Sequence, residues 1–359
     1  MVSIDPEYNG ANFVKGLTIS AHGGLDQLRV RDDLPIPELQ RPSDVRVRIR
    51  AAALNHLDLF VVRGLPGVKV NPGWVLGADG TGIVEAVGAD VHDVAVGDNV
   101  VINPGISDRT CEYCLSGEQS LCVRFGILGE HFPGTIAEYA VVPARNLRSI
   151  PTSIPTQVAA AFSLATLTAW RMIVTRAQVK AAEDVLIWGI GGGVAVAALQ
   201  ICKQLGARVW VTSSSETKLA RARELGADEA INHAMSDVAK IIRERTAKRG
   251  VDVVVDDVGI ATWQQSLLAL GRRGRLVTCG ATTGPIVETD VRRLFWNQWS
   301  ILGSTMGNDA EYDAVVEQLR VGRLAPPVDC VYDLADAPEA FQRLENAEQF
   351  GKVVIRIAE

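Results

Sequence analysis

The sequence predicts an α/β protein in which a doubly wound parallel sheet is paired with a second, β-rich unit, and three observations carry that prediction. At 359 residues the chain is long enough for about two domains of roughly 150 residues, each with its own core. Its first third consists of short β-branched runs closed by Gly and Pro. After Ile150 strand-like apolar runs alternate with helical patterns, as expected for βαβ units whose parallel sheet is covered on both faces.

The β-rich unit is read from the runs 45–50, 82–87, 99–102 and 137–142. A boundary falls near Pro151 and Pro155. The doubly wound unit follows with a strand at 184–188, a helix to Leu205, a strand at 208–212, a helix from Glu216, a strand at 251–256, a helix from Thr262 and a strand at 275–278. Beyond Gly303 come a helix at 309–320, the Pro326-Pro327 pair, and strands at 331–334 and 352–357. This tail is too short for a core of its own and is expected to pack back on the front unit. The expected division is 1–153 with 304–359 for the β-rich unit, and 154–303 for the doubly wound one.

A formal charge of −6 leaves no broad basic face, so nucleic acid is not an expected partner. The uncharged stretches 149–170 and 185–202 approach the length of a membrane span, but the first carries Pro151 and Pro155 and the second four glycines. Both read as buried elements. Met1 to Gly10 contains Asp5 and Glu7 and no apolar run, so no secretory signal is expected, and the setting is read as cytoplasmic.

The strongest chemical signal is the stretch from Asp184 to Ser214. An apolar strand ends at Trp188, the turn Gly189-Ile190-Gly191-Gly192-Gly193 follows, and a helix of small residues runs to Leu205 before the next strand. Glycines there permit a tight turn and let backbone N–H groups approach a pyrophosphate at the positive end of the helix. Gly189, Gly191, Gly192, Gly193 and Val194 are therefore candidate cofactor contacts, and Ala195 and Ala198 let the helix sit close to the sheet. An acidic residue at the end of the second strand would bind the ribose hydroxyls of NAD. Ser213 and Ser214 stand there instead, with Lys218 just beyond, and hydroxyls plus a cation suit a 2′-phosphate. NADP(H) is favoured over NAD(H).

With the β-rich front, the GIGGGVAVAALQ turn and ELGAD in this order, the chain resembles the medium-chain dehydrogenase/reductase superfamily over nearly its full length. The phrases LNHLDLFVVRG, LGADGTGIVEAVG, GDNVVINPG, LTAW and GRLVTCGATTG carry the same resemblance. It implies a GroES-like catalytic domain clasping a Rossmann domain, with the site in the cleft between them. Zinc alcohol dehydrogenases of this superfamily hold a catalytic metal at the positions that here read Asn55, Ala78 and Leu164. Alanine and leucine cannot ligate, and Asn is a poor zinc ligand, so no catalytic zinc is expected. His56, Asp58 and Asp79 lie nearby as an alternative ligand set, although a histidine satisfied by backbone groups is the more ordinary reading of His56.

Zinc members also carry a lobe of four cysteines. At the matching positions this chain has Asp108, Cys111, Cys114 and Cys122. Three clustered thiols read as a metal site rather than as disulfides in a reducing compartment, and a carboxylate can complete a zinc shell. A structural zinc is expected, the alternative being a loop of free thiols. Cys202, Cys279 and Cys330 are read as small core residues.

Without a metal to stabilise an alkoxide, an isolated carbonyl is a hard target, whereas hydride addition to a conjugated C=C spreads charge into an enolate that hydrogen-bond donors can stabilise. The quinone oxidoreductase-like branch, which lacks catalytic zinc, implies such reductions of enones, enals, quinones or enoyl thioesters. Asn55 is the candidate polar contact, to substrate oxygen or to the nicotinamide amide. Thr168 matches the superfamily Thr packed against the nicotinamide, and Cys279 and Gly280 close a strand where a parallel sheet presents ligand. Leu57 stands where zinc members place a relay hydroxyl, and no proton donor is apparent. Trp74, Phe125 and Trp296 are candidates for an apolar pocket wall. A zinc alcohol dehydrogenase with altered ligands and a dinucleotide-binding sensor or scaffold remain open. Relatives usually pair through the last Rossmann strand, which the resemblance places near 300–303, so a homodimer is expected, with Trp296 and Trp299 beside an exposed apolar edge.

Overall fold

The computed structural model describes residues 13–358; the expectation about Met1 to Gly10 lies outside the described residues. Two sheets organise the chain. In the front unit the central strand Asp44–Ala53 buries Val45, Val47 and Ile49 on one side and turns Arg46 and Arg48 outward, the period-2 pattern of a half-buried strand. It pairs with Asp79–Val87 on one side and Lys352–Arg356 on the other, and Tyr139–Pro143 also joins it. A Cβ on Gly82 would lie 2.1 Å from the Arg48 carbonyl oxygen, so the close approach of these two strands admits only glycine there.

The second sheet is wholly parallel, in the order Glu229–Asn232, Arg208–Ser213, Asp184–Ile187, Val251–Val255, Leu270–Thr278, Ser300–Gly303. Successive residues of its central strands serve opposite layers. Val185, Ile187, Val209 and Val211 pack with the Gly193–Gln204 helix, while Leu186, Trp210 and Val254 pack with the helices Val238–Arg245 and Trp263–Ala269. Burial on both faces is why these strands are nearly continuous runs of Val, Leu and Ile. The chain winds outward from Asp184–Ile187 in one direction and then restarts on its other side at Val251–Val255. Their carboxyl ends form the switch point where open parallel sheets bind ligands.

The tail divides differently from the expectation. The helix Asp309–Arg320 sends Tyr312, Val315 and Val316 into the core around Gly193–Gln204, so it packs on the doubly wound unit, and the return to the front sheet comes at Val328–Asp333 rather than at residue 304. The 149–170 stretch forms the short helices Thr156–Ala160 and Ser163–Trp170, and among the described residues no helix is long and apolar enough to cross a membrane.

Candidate active site in the cleft

A cavity of about 490 Å³ lies between the two units at the switch point. One wall is the glycine turn. Gly189 and Gly191 take φ of +66° and +129°, which L-residues with a Cβ rarely adopt, and a Cβ on Gly193 would meet Lys352 Cδ at 2.9 Å and Ala165 Cβ at 3.1 Å. Gly192 differs: its φ is −73°, and a Cβ would find its nearest neighbour at 3.8 Å. It caps the Gly193–Gln204 helix, whose first N–H groups have no intrahelical partner and face the cavity beside half-buried Val194.

Ser213, Ser214 and Lys218 line the same cavity. Lys218 folds back over Gly191, donates to the Ala347 carbonyl at 2.5 Å, and has its pKa lowered by burial. The first acidic residue after the strand, Glu216, accepts instead from Asn232 at 2.7 Å and does not line the cavity. Among the described residues no carboxylate lines the cavity at the end of the second strand. His56, at the start of the His56–Arg63 helix, also lines the cavity, and its pKa is lowered by burial and by the charges of Lys352, Arg63 and Lys218. It makes no hydrogen bond among the described residues, so the reading of a histidine satisfied by backbone groups is not what the fold delivers. The free N–H groups of the helix start, with Lys218 over the glycine turn, form an anion site suited to a pyrophosphate.

At the opposite end stand Thr168, Cys279, Gly280 and Met306. Thr168 is buried and donates to the Met306 thioether at 3.6 Å, a weak bond that a ligand can replace. Cys279 packs against the core around the Gly193–Gln204 helix and also borders the cavity, and burial raises its thiol pKa. Asp257 beside it is pushed up to about 6 by burial and by the charge of Asp256. Of the aromatic candidates none lines this cavity. Trp74 donates to the Gly129 carbonyl in another part of the front unit, Phe125 packs on the core, and Trp296 is 70% exposed.

Asn55, in the same cavity wall, is held by a buried network. Its amide Nδ2 donates to Asp79 Oδ2 at 3.0 Å and, more distantly, to the Ala53 carbonyl at 3.4 Å, while its Oδ1 accepts from Lys352 Nζ at 2.5 Å. Both of its donors thus have partners within the chain, the one on Ala53 being long, and the residue lines the cavity. Lys352 also donates to Asp79 Oδ2 at 2.8 Å, and Asp79 Oδ1 accepts from the backbone N–H of Leu164 at 2.7 Å. Lys352 is 3% exposed and Asp79 fully buried. Asp58 accepts from the Asn55 N–H at 2.7 Å, and burial raises its pKa to about 7. His56, Asp58 and Asp79 are thus not gathered as a ligand set, and the catalytic-zinc positions Asn55, Ala78 and Leu164 do not fit zinc.

Lys352 and Asp79 as an ion pair escaped sequence reading. A signal was present: Lys352 opens the strand Lys352–Arg356 two positions before buried Val354, on the same face, where a lone cation requires a partner.

The cysteine lobe gathers its four candidate ligands. One ligand atom each from Asp108, Cys111, Cys114 and Cys122 lie within 4.8 Å of one another. Asp108 Oδ1 accepts from the N–H groups of Thr110 and Cys111 at 2.9 and 3.0 Å, which holds its carboxyl well below the usual range and leaves Oδ2 free. Cys122 Sγ accepts from the N–H groups of Asp108 and Arg124, both at 3.3 Å. The donor set fits a zinc that would cross-link the loop.

A parallel sheet with a phosphate-ready glycine turn, facing a β-rich unit across a cleft, defines a nicotinamide-dinucleotide oxidoreductase. Residues 41–152 match the alcohol dehydrogenase GroES-like domain family and residues 193–320 the zinc-binding dehydrogenase family. A zinc-type alcohol dehydrogenase-like protein of Schizosaccharomyces pombe is 31% identical over 93% of this chain and 96% of its own length. The chain belongs to the medium-chain dehydrogenase/reductase superfamily. An acryloyl-coenzyme A reductase of Sulfurisphaera tokodaii is 27% identical over 90% of this chain and 95% of its own. Among solved structures, an NAD-dependent alcohol dehydrogenase is 44% identical with a TM-score of 0.91, covering 96% of this chain and all of that one. A 2-octenoyl-CoA carboxylase reductase, in complex with NADP and 2-octenoyl-CoA, is 28% identical with a TM-score of 0.88, covering 97% of this chain and 88% of that one.

Proposed function

We propose that this protein reduces conjugated carbonyl compounds, enoyl thioesters among them, with NADPH and without a catalytic metal. The observation that carries the reading is the replacement of all three catalytic ligand positions by Asn55, Ala78 and Leu164, with a buried ion pair of Lys352 and Asp79 among them. Reduced nicotinamide supplies a hydride when bound. The glycine turn and Lys218 would hold its phosphates, with His56 beside them, and Thr168 with Cys279 and Gly280 would border the ring end. A conjugated acceptor needs only hydrogen bonding to its oxygen, because the added electron pair delocalises. The acryloyl-CoA and octenoyl-CoA relatives support this substrate class, and the absence of a carboxylate beside Ser213 and Ser214 supports NADPH.

The 44% identical NAD-dependent alcohol dehydrogenase favours a second reading, oxidation of an alcohol with NAD. A panel of enones, enals, quinones and enoyl thioesters assayed with NADPH and NADH, beside alcohols with the oxidised cofactors, decides between them. Turnover of conjugated acceptors that survives chelation supports the proposal. Alcohol oxidation that a chelator abolishes overturns it, and no turnover at all returns the chain to a sensor or scaffold.

The same proposal includes one structural zinc that Asp108, Cys111, Cys114 and Cys122 would hold, a cytoplasmic setting and a homodimer. The edge strand Ser300–Gly303 exposes Ile301, and Val291, Phe295 and Trp296 of the preceding helix are more than half exposed, an apolar edge that suits a second copy. Trp299 does not contribute, being buried with its indole N–H on the Gly271 carbonyl. A solution mass of one chain would remove the dimer.

A further inference from the structure

We propose that the Asp257 carboxylate accepts hydrogen bonds from the two hydroxyls of the ribose that carries the nicotinamide ring. The inference rests on dinucleotide binding in this cavity and does not depend on the acceptor that is reduced.

Two carboxylates stand side by side just after the strand Val251–Val255, and the fold treats them oppositely. Asp256 is 1% exposed and fully satisfied. It accepts from the N–H groups of Val258 and Gly259 at 3.0 and 3.1 Å, from the Thr262 hydroxyl at 2.9 Å and from the Ser266 hydroxyl at 2.6 Å, tying the strand to the helix Trp263–Ala269. Asp257 is half-buried and lines the cavity. Among the described residues, the one hydrogen bond to its carboxyl comes from its own backbone N–H, and no cation stands beside it. A carboxylate withdrawn from bulk water without donors is costly, and a ligand that brings donors removes the cost.

The place of Asp257 selects the ligand group. On one side the next residue reaches the glycine turn, where a Cβ on Gly189 would lie 3.8 Å from Val258 Cγ2. On the other, a Cβ on Gly280 would lie 3.8 Å from Asp257 Cβ, and the Thr282 N–H donates to the Asp257 carbonyl at 3.2 Å. Asp257 thus stands between the phosphate end and the ring end of the cavity, where a dinucleotide has its second ribose. That sugar presents two adjacent hydroxyls, and a carboxylate has an oxygen for each; such charge-assisted bonds are the strong ones. This is the chemistry an acidic residue performs on the other ribose at the end of a second strand, where this chain has Ser213 and Ser214 instead. A ribose bearing a 2′-phosphate is repelled by Asp257, so the carboxylate also rejects NADPH entering the wrong way round.

The titratable groups packed around it are Asp256 on its own segment and Cys279 on the next strand, whose thiol burial keeps neutral. Across the cavity lie His56, His233, Lys218 and Lys352. With its pKa pushed up to about 6, the free carboxyl must lose a proton in acid before it can accept both hydroxyls. Affinity therefore rises with pH through about 6 and levels off above it. The histidines act in the opposite sense, because protonating them at low pH draws a pyrophosphate in.

ADP and ADP-ribose share adenosine and two phosphates and differ by this ribose, so they isolate it without nicotinamide, hydride transfer or a 2′-phosphate. Both are titrated by calorimetry into the full-length wild type, Asp257→Asn and Asp257→Val. At pH 8 the wild type is expected to bind ADP-ribose at least about tenfold tighter than ADP, and the Val variant less than about threefold tighter, with Asn between them. ADP affinity should change less than about twofold, and the unfolding midpoint should not fall, since neither variant loses a bond to another residue. From pH 5 to 7 the ADP-ribose affinity of the wild type should rise more steeply than that of either variant. No advantage of ADP-ribose in the wild type, or an advantage that survives in the Val variant, overturns the proposal. So do matched pH profiles, or equal losses for ADP and ADP-ribose with a lowered midpoint, which would make Asp257 structural. Failure of the reductase reading is distinguishable: it appears as an unreactive acceptor panel while the ribose advantage still depends on Asp257.

Discussion

In the lobe, four ligand atoms from Asp108, Cys111, Cys114 and Cys122 stand within 4.8 Å of one another; in the cleft, the three positions where zinc relatives place ligands are Asn55, Ala78 and Leu164, with an ammonium among them. The lobe draws its ligands from one loop, held by that loop's own N–H groups. The cleft draws its groups from four distant segments around residues 55, 79, 164 and 352. A site made within one loop keeps or loses its metal with little effect elsewhere. A site at the junction of two units must stay electrostatically balanced, and here a lysine–aspartate pair supplies that balance.

The largest effect should come from breaking the balance. Asp79→Ala leaves a buried ammonium without its carboxylate and is expected to destabilise by about 3–5 kcal/mol in urea unfolding. Adding Lys352→Met should recover much of that loss; two simply additive losses would show that the pair is not coupled. In the lobe, Cys122→Ser or a chelator should take zinc from one per chain to none by elemental analysis and lower the unfolding midpoint, while conjugated-acceptor turnover persists. Abolished turnover would tie the lobe to the chemistry of the cleft.

The next effect is pH-dependent. Asp58 holds its proton up to about pH 7 when folded, because burial disfavours the charge, but releases it near its ordinary value when unfolded. Between these values the folded chain binds the extra proton, so stability falls as pH rises and the loss is complete above pH 7. The contribution between pH 5 and 7 is about 2–3 kcal/mol. Asp58→Asn should flatten that part of the profile in denaturant unfolding; an unchanged slope would assign it to other groups.

The smallest effects separate the glycines. Gly191→Ala forces a positive φ on a residue with a Cβ that meets Lys218 at 2.9 Å, with an expected loss of about 1–2 kcal/mol and weaker dinucleotide binding by calorimetry. Gly192→Ala, with open space and ordinary φ, should change stability by less than about 0.5 kcal/mol. Equal losses at both positions would break this distinction.

Much of the fold was legible because the strands buried on both faces announce themselves as Val, Leu and Ile runs, and the glycine turn sits where strand gives way to helix. The strand Glu229–Asn232 was not legible, since only Ile231 of its four residues is fully buried. The tail helix Asp309–Arg320 was located correctly but assigned to the wrong neighbour, because an amphipathic face says that it packs and not against what. Trp74 and Phe125 failed as pocket residues for a related reason: an aromatic side chain carries no mark of which cavity it will meet.

What the sequence by itself determined is therefore local: a dinucleotide turn, a four-ligand loop, and the loss of two ligating side chains at Ala78 and Leu164. Residue type and near spacing suffice for each, because the chemistry is complete within a few residues. What only the tertiary structure decided is the replacement. Lys352 and Asn55 are 297 positions apart, and only the pairing of the closing strand with Asp44–Ala53 brings them together. In that dry interior the ammonium, the carboxylate and the amide must satisfy one another, which residues so far apart in sequence cannot announce.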